Sequence, residues 1–286
     1  VRGNEALKIT TPPFTYPPAG RCIYCQSETK PLGKEHIIPY GLAGHALVLP
    51  KASCDDCATV TGKTEQTILK QSFGAIRNTL GLPTRNPKAR APNLPVFKSY
   101  FRPGAAEPYR SIETALSSDR YPLHFIGLLM DRPGMISGHP SWQPLPWEFY
   151  SATNMDDFRR VNPDQNVALR IGAVNPYVFA QFLAKIGHSY AVATYGFDAF
   201  EPLLLNLIFS KTDGRFRPWI GGEKIVPPQE KEGLHHISAS RVARGGSEFI
   251  LVKMRFFRLF PSPIYYALAG RLRAPATLYM PEDPTN

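Results

Sequence analysis

Two pairs of cysteines, with a glutamate–histidine step between them, are the residues in this chain whose types and spacing could do chemistry. The cysteines read Cys22-Ile-Tyr-Cys25 and Cys54-Asp-Asp-Cys57, all within 36 residues and with 28 between the pairs. Each C-x-x-C step can put two thiolates on one face of a tight turn, and two such turns brought together complete the tetrahedral sulfur shell that Zn²⁺ prefers. Another metal cluster, two disulfides or a redox pair are the alternatives. Disulfides need an oxidising compartment, for which no export signal speaks, and a redox step needs one pair in a thioredoxin-like context. Four sulfurs leave no open position for a substrate. Such an ion is scaffold, and chemistry falls to the residues between the pairs.

Those residues read Lys34-Glu35-His36-Ile37-Ile38-Pro39, then Gly41-Leu42-Ala43-Gly44-His45. A carboxylate beside an imidazole on a short β-branched stretch makes an economical nuclease half-site. The carboxylate can hold a hard divalent cation. The imidazole, with an ordinary pKa near 6.5, can take a proton from an attacking water at neutral pH. The 41–44 segment allows the tight return of a hairpin loop.

The segment CIYC…KEHIIP…GLAGH…LVLPKASCDDC resembles the zinc-bearing branch of the HNH endonucleases over about residues 20–70. That resemblance implies a ββα-metal, treble-clef core in which Cys22, Cys25, Cys54 and Cys57 bind a structural zinc. It implies His36 as the general base that activates water. Glu35 would be a ligand of a catalytic Mg²⁺ or Mn²⁺ that acts as a Lewis acid on the scissile phosphate and leaving oxygen. The sequence departs from the family twice. The family's Asn or His ligand just after the last cysteine is Ala58 here, and its central Asn is not evident, which leaves His45 as the nearest polar stand-in. On a helix beginning near Cys57, Thr61 and Glu65 follow Ala58 at one-turn steps on roughly one face. Thr61 can hold a metal-bound water. Glu65 is a good ligand if the helix comes close, and otherwise an exposed acid paired with Lys63 or Lys70.

The elements that must position these groups come next. Residues 64–80 carry apolar Ile68, Leu69, Phe73, Ile76 and Leu80 and predict a helix stopped by Gly81-Leu82-Pro83. Residues 63–110 hold nine basic side chains against two acids. Beside a candidate phosphodiester site such a run is where a nucleic-acid backbone would lie. The candidates for backbone contact are Lys34, Lys63, Lys70, Arg77, Arg85, Lys88 and Arg90.

Further on, residues 121–130 and 165–173 read as strands. Asn175-Pro176 reads as an N-cap and first helical residue of a helix ending at Gly196. A short helix is expected over 200–209, and 248–260 is expected to pair with 264–272 as a hairpin. On the long helix, Lys185 and His188 stand one turn apart, which suggests either a second site or, more often, one helix edge, and His235-His236 reads as a loop feature. The stretch 131–147 reads as an ordered loop.

Composition bounds the rest. The chain has 286 residues, 43% of them apolar, with 29 Pro, 22 Gly and a net charge of +10. It can bury a sizeable core, is rich in loops and favours polyanionic partners. No apolar run approaches the roughly 20 residues a membrane helix needs, and residues 1–21 lack a hydrophobic signal core, which reads as a soluble, cytoplasmic protein without a membrane partner. The expected fold class is α+β. Its expected parts are an extension over 1–20, a zinc module over 21–80, a basic segment over 81–111 and a larger mixed domain over 112–286. The function this reading favours is metal-dependent hydrolysis of nucleic-acid phosphodiesters, DNA first, with a two-fold dimer as one way to cut both strands. Its competitors are a zinc module that binds nucleic acid or supports assembly without turnover, and a protein–protein adaptor.

Overall fold

A short polar–apolar run returning on itself, followed by a helix that begins at the second cysteine pair, gives the N-terminal part of the chain. The computed structural model describes residues 13–104, 107–138, 148–162, 167–169, 174–209 and 215–273. Its first elements are β1 (Phe14–Thr15), β2 (Leu32–His36), α1 (Tyr40–Ala43) and β3 (Leu47–Cys54), with β1 parallel and β2 antiparallel to the central β3. In the β2–β3 register Glu35 lies opposite Leu49 and His36 opposite Val48.

α2 (Asp55–Gln71) starts two residues ahead of the expected point, with Asp55 and Asp56 in its first turn, where acids favour the positive end of the helix dipole. It does not continue to residue 80. Phe73 leaves helical geometry and α3 (Gly74–Thr79) follows. The break aims the Phe73 ring into the centre of the core, where it meets Phe125, Phe179, Phe182, Phe256 and Phe257 at centroid distances of 5.1–6.5 Å.

The basic segment continues as a hairpin, β4 (Asn93–Phe101) with β5 (Pro108–Ser117). Then come β6 (His124–Leu129), α4 (Gly134–Ser137), β7 (Glu148–Thr153), α5 (Met155–Val161) and β8 (Val167–Leu169). β8 joins the hairpin on its β4 side, and β6 pairs with β7. Of the stretch read as an ordered loop, residues 139–147 lie outside the described residues, as does much of the strand expected over 165–173.

α6 (Pro176–Tyr195) has the expected start: the Asn175 side chain accepts from the Tyr177 and Val178 backbone N–H groups at 2.9 and 3.3 Å. It ends at Gly196, whose φ of 83° suits glycine. Residues 179–192 are all buried. Beyond it lie β9 (Phe200–Pro202), α7 (Leu205–Ile208), β10 (Ile220–Gly222), β11 (His235–Arg244), β12 (Ser247–Phe256) and β13 (Ile264–Leu272). The last sheet runs β10-β13-β12-β11 with β9 also on β13. The expected hairpin is there. The helix expected over 200–209 is not: its first three residues pair with β13, and only one helical turn remains after Pro202. His235 and His236 are in a strand rather than a loop, and the His235 ring is tied between Leu42 O (3.3 Å) and Phe257 N–H (3.3 Å).

The fold is α+β with the cysteines near its N-terminal end. One hydrophobic core runs from Cys22 and Ile37 through Ile68, Phe182 and Ile186 to Val252 and Ala267, so packing does not stop at residue 80. A smaller cluster of Leu94, Val96, Tyr121, Met155, Phe158 and Val167 lies under the hairpin. Among the described residues no helix is long and apolar enough to cross a membrane.

α6 approaches β13 closely at Gly187, where an added Cβ would stand 2.5 Å from the Ala267 Cβ. Two rigid groups cannot both occupy that space. Gly187→Ala is expected to destabilise the protein by about 1–3 kcal/mol despite alanine's better helix propensity, checked by urea denaturation. Unchanged or increased stability would mean that helix and sheet separate at no cost.

Candidate functional site

The four cysteines converge. Their sulfurs all lie within 4.8 Å of one another, with Cys25 and Cys54 at 3.7 Å. A tetrahedron with metal–sulfur bonds of about 2.3 Å has edges of about 3.8 Å, so the cluster can hold a metal ion. Backbone geometry prepares both turns. Cys22 N–H donates to Ser27 O and Gln26 N–H to Cys22 O, with Gln26 at a φ of 63°, and Cys54 N–H donates to the Cys22 sulfur at 3.4 Å. Burial, then the neighbouring thiols, push the Cys57 thiol far up. A cation among the sulfurs would reverse that preference.

About two turns further along α2, β2 and α2 present Glu35 and Glu65 to the same point, and Lys185 of α6 occupies it. Its ammonium contacts Glu35 Oε1, lies 2.7 Å from Glu65 Oε1, and donates to His36 O at 2.5 Å and Ile37 O at 3.4 Å. The Tyr24 hydroxyl stands 3.1 Å from Ser189 Oγ on the next turn of α6. Burial raises the Glu35 carboxyl, against the pull of Lys185. Burial also opposes the charge of Lys185, but Glu35 and Glu65 outweigh it and hold the ammonium above its ordinary value. Lys185 is therefore no mere helix edge.

These residues do not fit a divalent ion as they are arranged. The carboxylate oxygens that would face it are taken by an ammonium, Ala58 and Gly62 offer no ligand, and the Thr61 hydroxyl donates back to Cys57 O at 3.1 Å. The expected Mg²⁺ or Mn²⁺ at Glu35, Glu65 and Thr61 finds no support in this geometry.

Glu35, His36, Thr61 and Glu65 line a cleft of about 450 Å³, together with Lys34, Tyr40, Lys70, Arg77, Arg85 and the small residues Gly41, Ala58 and Gly62. His36 ends β2 with 7% of its surface exposed and its Nδ1 without a hydrogen-bond partner. The His36 and His45 ring centroids are 5.0 Å apart, and Tyr40 stands 5.6 Å from the first and 5.0 Å from the second. Burial first, then the nearby His45, Lys185, Lys34 and Arg85, lower His36 to about 4. It is neutral at pH 7.

The basic candidates divide. Lys34, Lys70 and Arg85 stand on the cleft wall with their ends exposed, Arg85 lying 5.9 Å over the Tyr40 ring. Arg77 is on the wall too, but its guanidinium is spent on the carbonyls of Gly41, Leu69 and Pro83. Arg90 donates to Leu82 O and lines a neighbouring cavity of about 490 Å³ that shares Lys70 and Arg77 with the cleft. Lys63 and Lys88 are exposed and outside the cleft wall.

Sequence reasoning set Lys185 aside as a helix edge and missed Tyr24. A signal existed: α6 is apolar almost all round, which marks a buried helix, so a lysine within it needs an acid partner. His188 shares that burial. It donates Nε2–H to Ile23 O at 2.7 Å, and burial lowers it to about 4. The unfolded chain binds the His188 proton below pH 6.5 while the folded chain refuses it until about pH 4. The stability that this neutral ring contributes is thus full above pH 6.5 and lost as pH falls towards 4, by about 3 kcal/mol in all. Denaturation followed between pH 7 and 4 is expected to show this slope, flattened in His188→Gln. Equal slopes in the two proteins would remove His188 as the cause.

No family model, curated protein or solved structure matches this chain.

Proposed function

We propose that the cleft binds the backbone of a nucleic acid and hydrolyses its phosphodiester bonds with His36 as general base, on a scaffold held by zinc in the four-cysteine cluster. The observation that carries this reading is the neutral His36 on the wall of a cleft that also presents Lys34, Lys70 and Arg85. His36 takes a proton from water as its oxygen attacks phosphorus, and the leaving oxygen is protonated by solvent. The three cations meet the charge that develops on the phosphate oxygens. Zinc suits four soft thiolates and contributes folding energy rather than chemistry. DNA is the first substrate to try.

A second reading has its own support. Ala58, Gly62 and the ammonium at Glu35 and Glu65 leave no divalent site, which favours a zinc module that binds nucleic acid without cutting it. Supercoiled plasmid and labelled RNA, incubated with the protein with and without Mg²⁺ or Mn²⁺, separate the two. Nicked or shortened product supports the nuclease. Salt-sensitive binding with intact substrate refutes it in favour of the binding module.

A further inference from the structure

A buried carboxylate and a partly buried one from different elements that meet at one point call for a positive charge there, and this protein supplies it from its own chain. The Lys185 side chain is 2% exposed, against 7% for Glu35 and 21% for Glu65. Its three N–H donors are all committed, to both carboxylates and to His36 O. The stem cannot swing freely. On the following turn, Ser189 Oγ donates to Lys185 O at 2.8 Å and stands 3.1 Å from the Tyr24 hydroxyl, while His188 is bonded to Ile23 O. α6 is thus bolted to the first cysteine turn by its neighbours, and the lysine enters the cleft floor from behind. A dication approaching the same oxygens would meet a like charge a few ångströms away, with no fresh ligand from Ala58 or Gly62.

We propose that Lys185 is a built-in cation, holding Glu35 and Glu65 in the place of a divalent metal so that the cleft acts on phosphate without one. The first half concerns cation binding alone; the second rests on the nucleic-acid reading. Through His36 O the ammonium also anchors the strand end that carries the imidazole, which makes Lys185 a positioning residue.

The test is a Mn²⁺ titration of the zinc-loaded full chain, followed by electron paramagnetic resonance, in the wild type, Lys185→Met, Glu35→Gln, Glu65→Gln and the Lys185→Met/Glu35→Gln pair. The wild type is expected to bind no Mn²⁺ up to roughly millimolar concentration. Lys185→Met is expected to gain a site at least about tenfold tighter than that, and the double variant to lose it. A wild-type site that disappears in Glu35→Gln or Glu65→Gln overturns the proposal, and so does a folded Lys185→Met that gains none. Should Lys185→Met not fold, the wild type and the two glutamine variants decide alone: no carboxylate-dependent Mn²⁺ site upholds the proposal. Fluorescence anisotropy with labelled DNA and RNA on the same samples is read separately. Failure to bind either one refutes the nucleic-acid reading and leaves the metal result standing.

Discussion

Cys57→Ser is expected to unfold the N-terminal part of the protein and carry much of the rest with it. Cys57 sits in the first turn of α2 and completes the sulfur cluster that also fixes the first turn through Cys22 and Cys54. An ion held by four thiolates contributes about 10–16 kcal/mol of apparent binding energy at neutral pH. A domain's whole stability is about 5–15 kcal/mol. Serine keeps the shape but offers a poor ligand, so most of that contribution goes. The loss should not stay local, because Cys22, Cys54 and Cys57 belong to the same core as α6 and the large sheet. Metal content by inductively coupled plasma analysis, with a thermal melt by circular dichroism, checks this. A variant that keeps one equivalent of zinc and the wild-type melting temperature would contradict it.

His36→Ala is expected to lower cleavage by about 10²–10⁴-fold, the usual worth of a general base, while nucleic-acid affinity stays within about twofold. The split follows from the geometry. Lys34, Lys70 and Arg85 are unaltered by the substitution, and Lys185 holds the His36 backbone oxygen, not its ring. The ion cluster beneath the cleft should survive. Single-turnover cleavage and anisotropy on the same preparation measure both quantities. Cleavage within twofold of wild type would remove His36 from the mechanism, and an affinity loss matching the rate loss would make it a binding residue.

How far the sequence could be read depends on whether a residue's role is local. The four cysteines announce themselves because two short C-x-x-C turns that could hold a metal ion are recognisable from local spacing alone. Asn175-Pro176 and Gly196 mark α6 because capping is settled within a turn. The hairpin of β12 and β13 follows from its own β-branched and aromatic pattern. Non-local roles were hidden. Residues 200–209 look helical until β13 claims the first three, and Phe73 breaks α2 only because aromatic rings from distant segments wait for it. In the site, Glu35 and His36 were legible as a pair, whereas Lys185 lies 150 residues from Glu35 in sequence. Arg77 illustrates the reverse error. A cation near a candidate phosphate site suggested backbone contact, yet its donors are spent on the carbonyls of Gly41 in α1, Leu69 in α2 and Pro83.

The lysine at the floor of the cleft also sets an order of events during synthesis. Glu65 leaves the ribosome 120 residues, and Glu35 150 residues, before the ammonium that neutralises them, an interval of at least about 6 seconds at ordinary elongation rates. For that time the nascent cysteine turns can close while the helix behind them lacks its counter-charge and its apolar cover at Ile68 and Phe73. A fragment ending near residue 80 would be arrested in that state indefinitely, with two like charges facing each other across an open seam. The N-terminal unit is therefore expected to complete its packing only when α6 arrives.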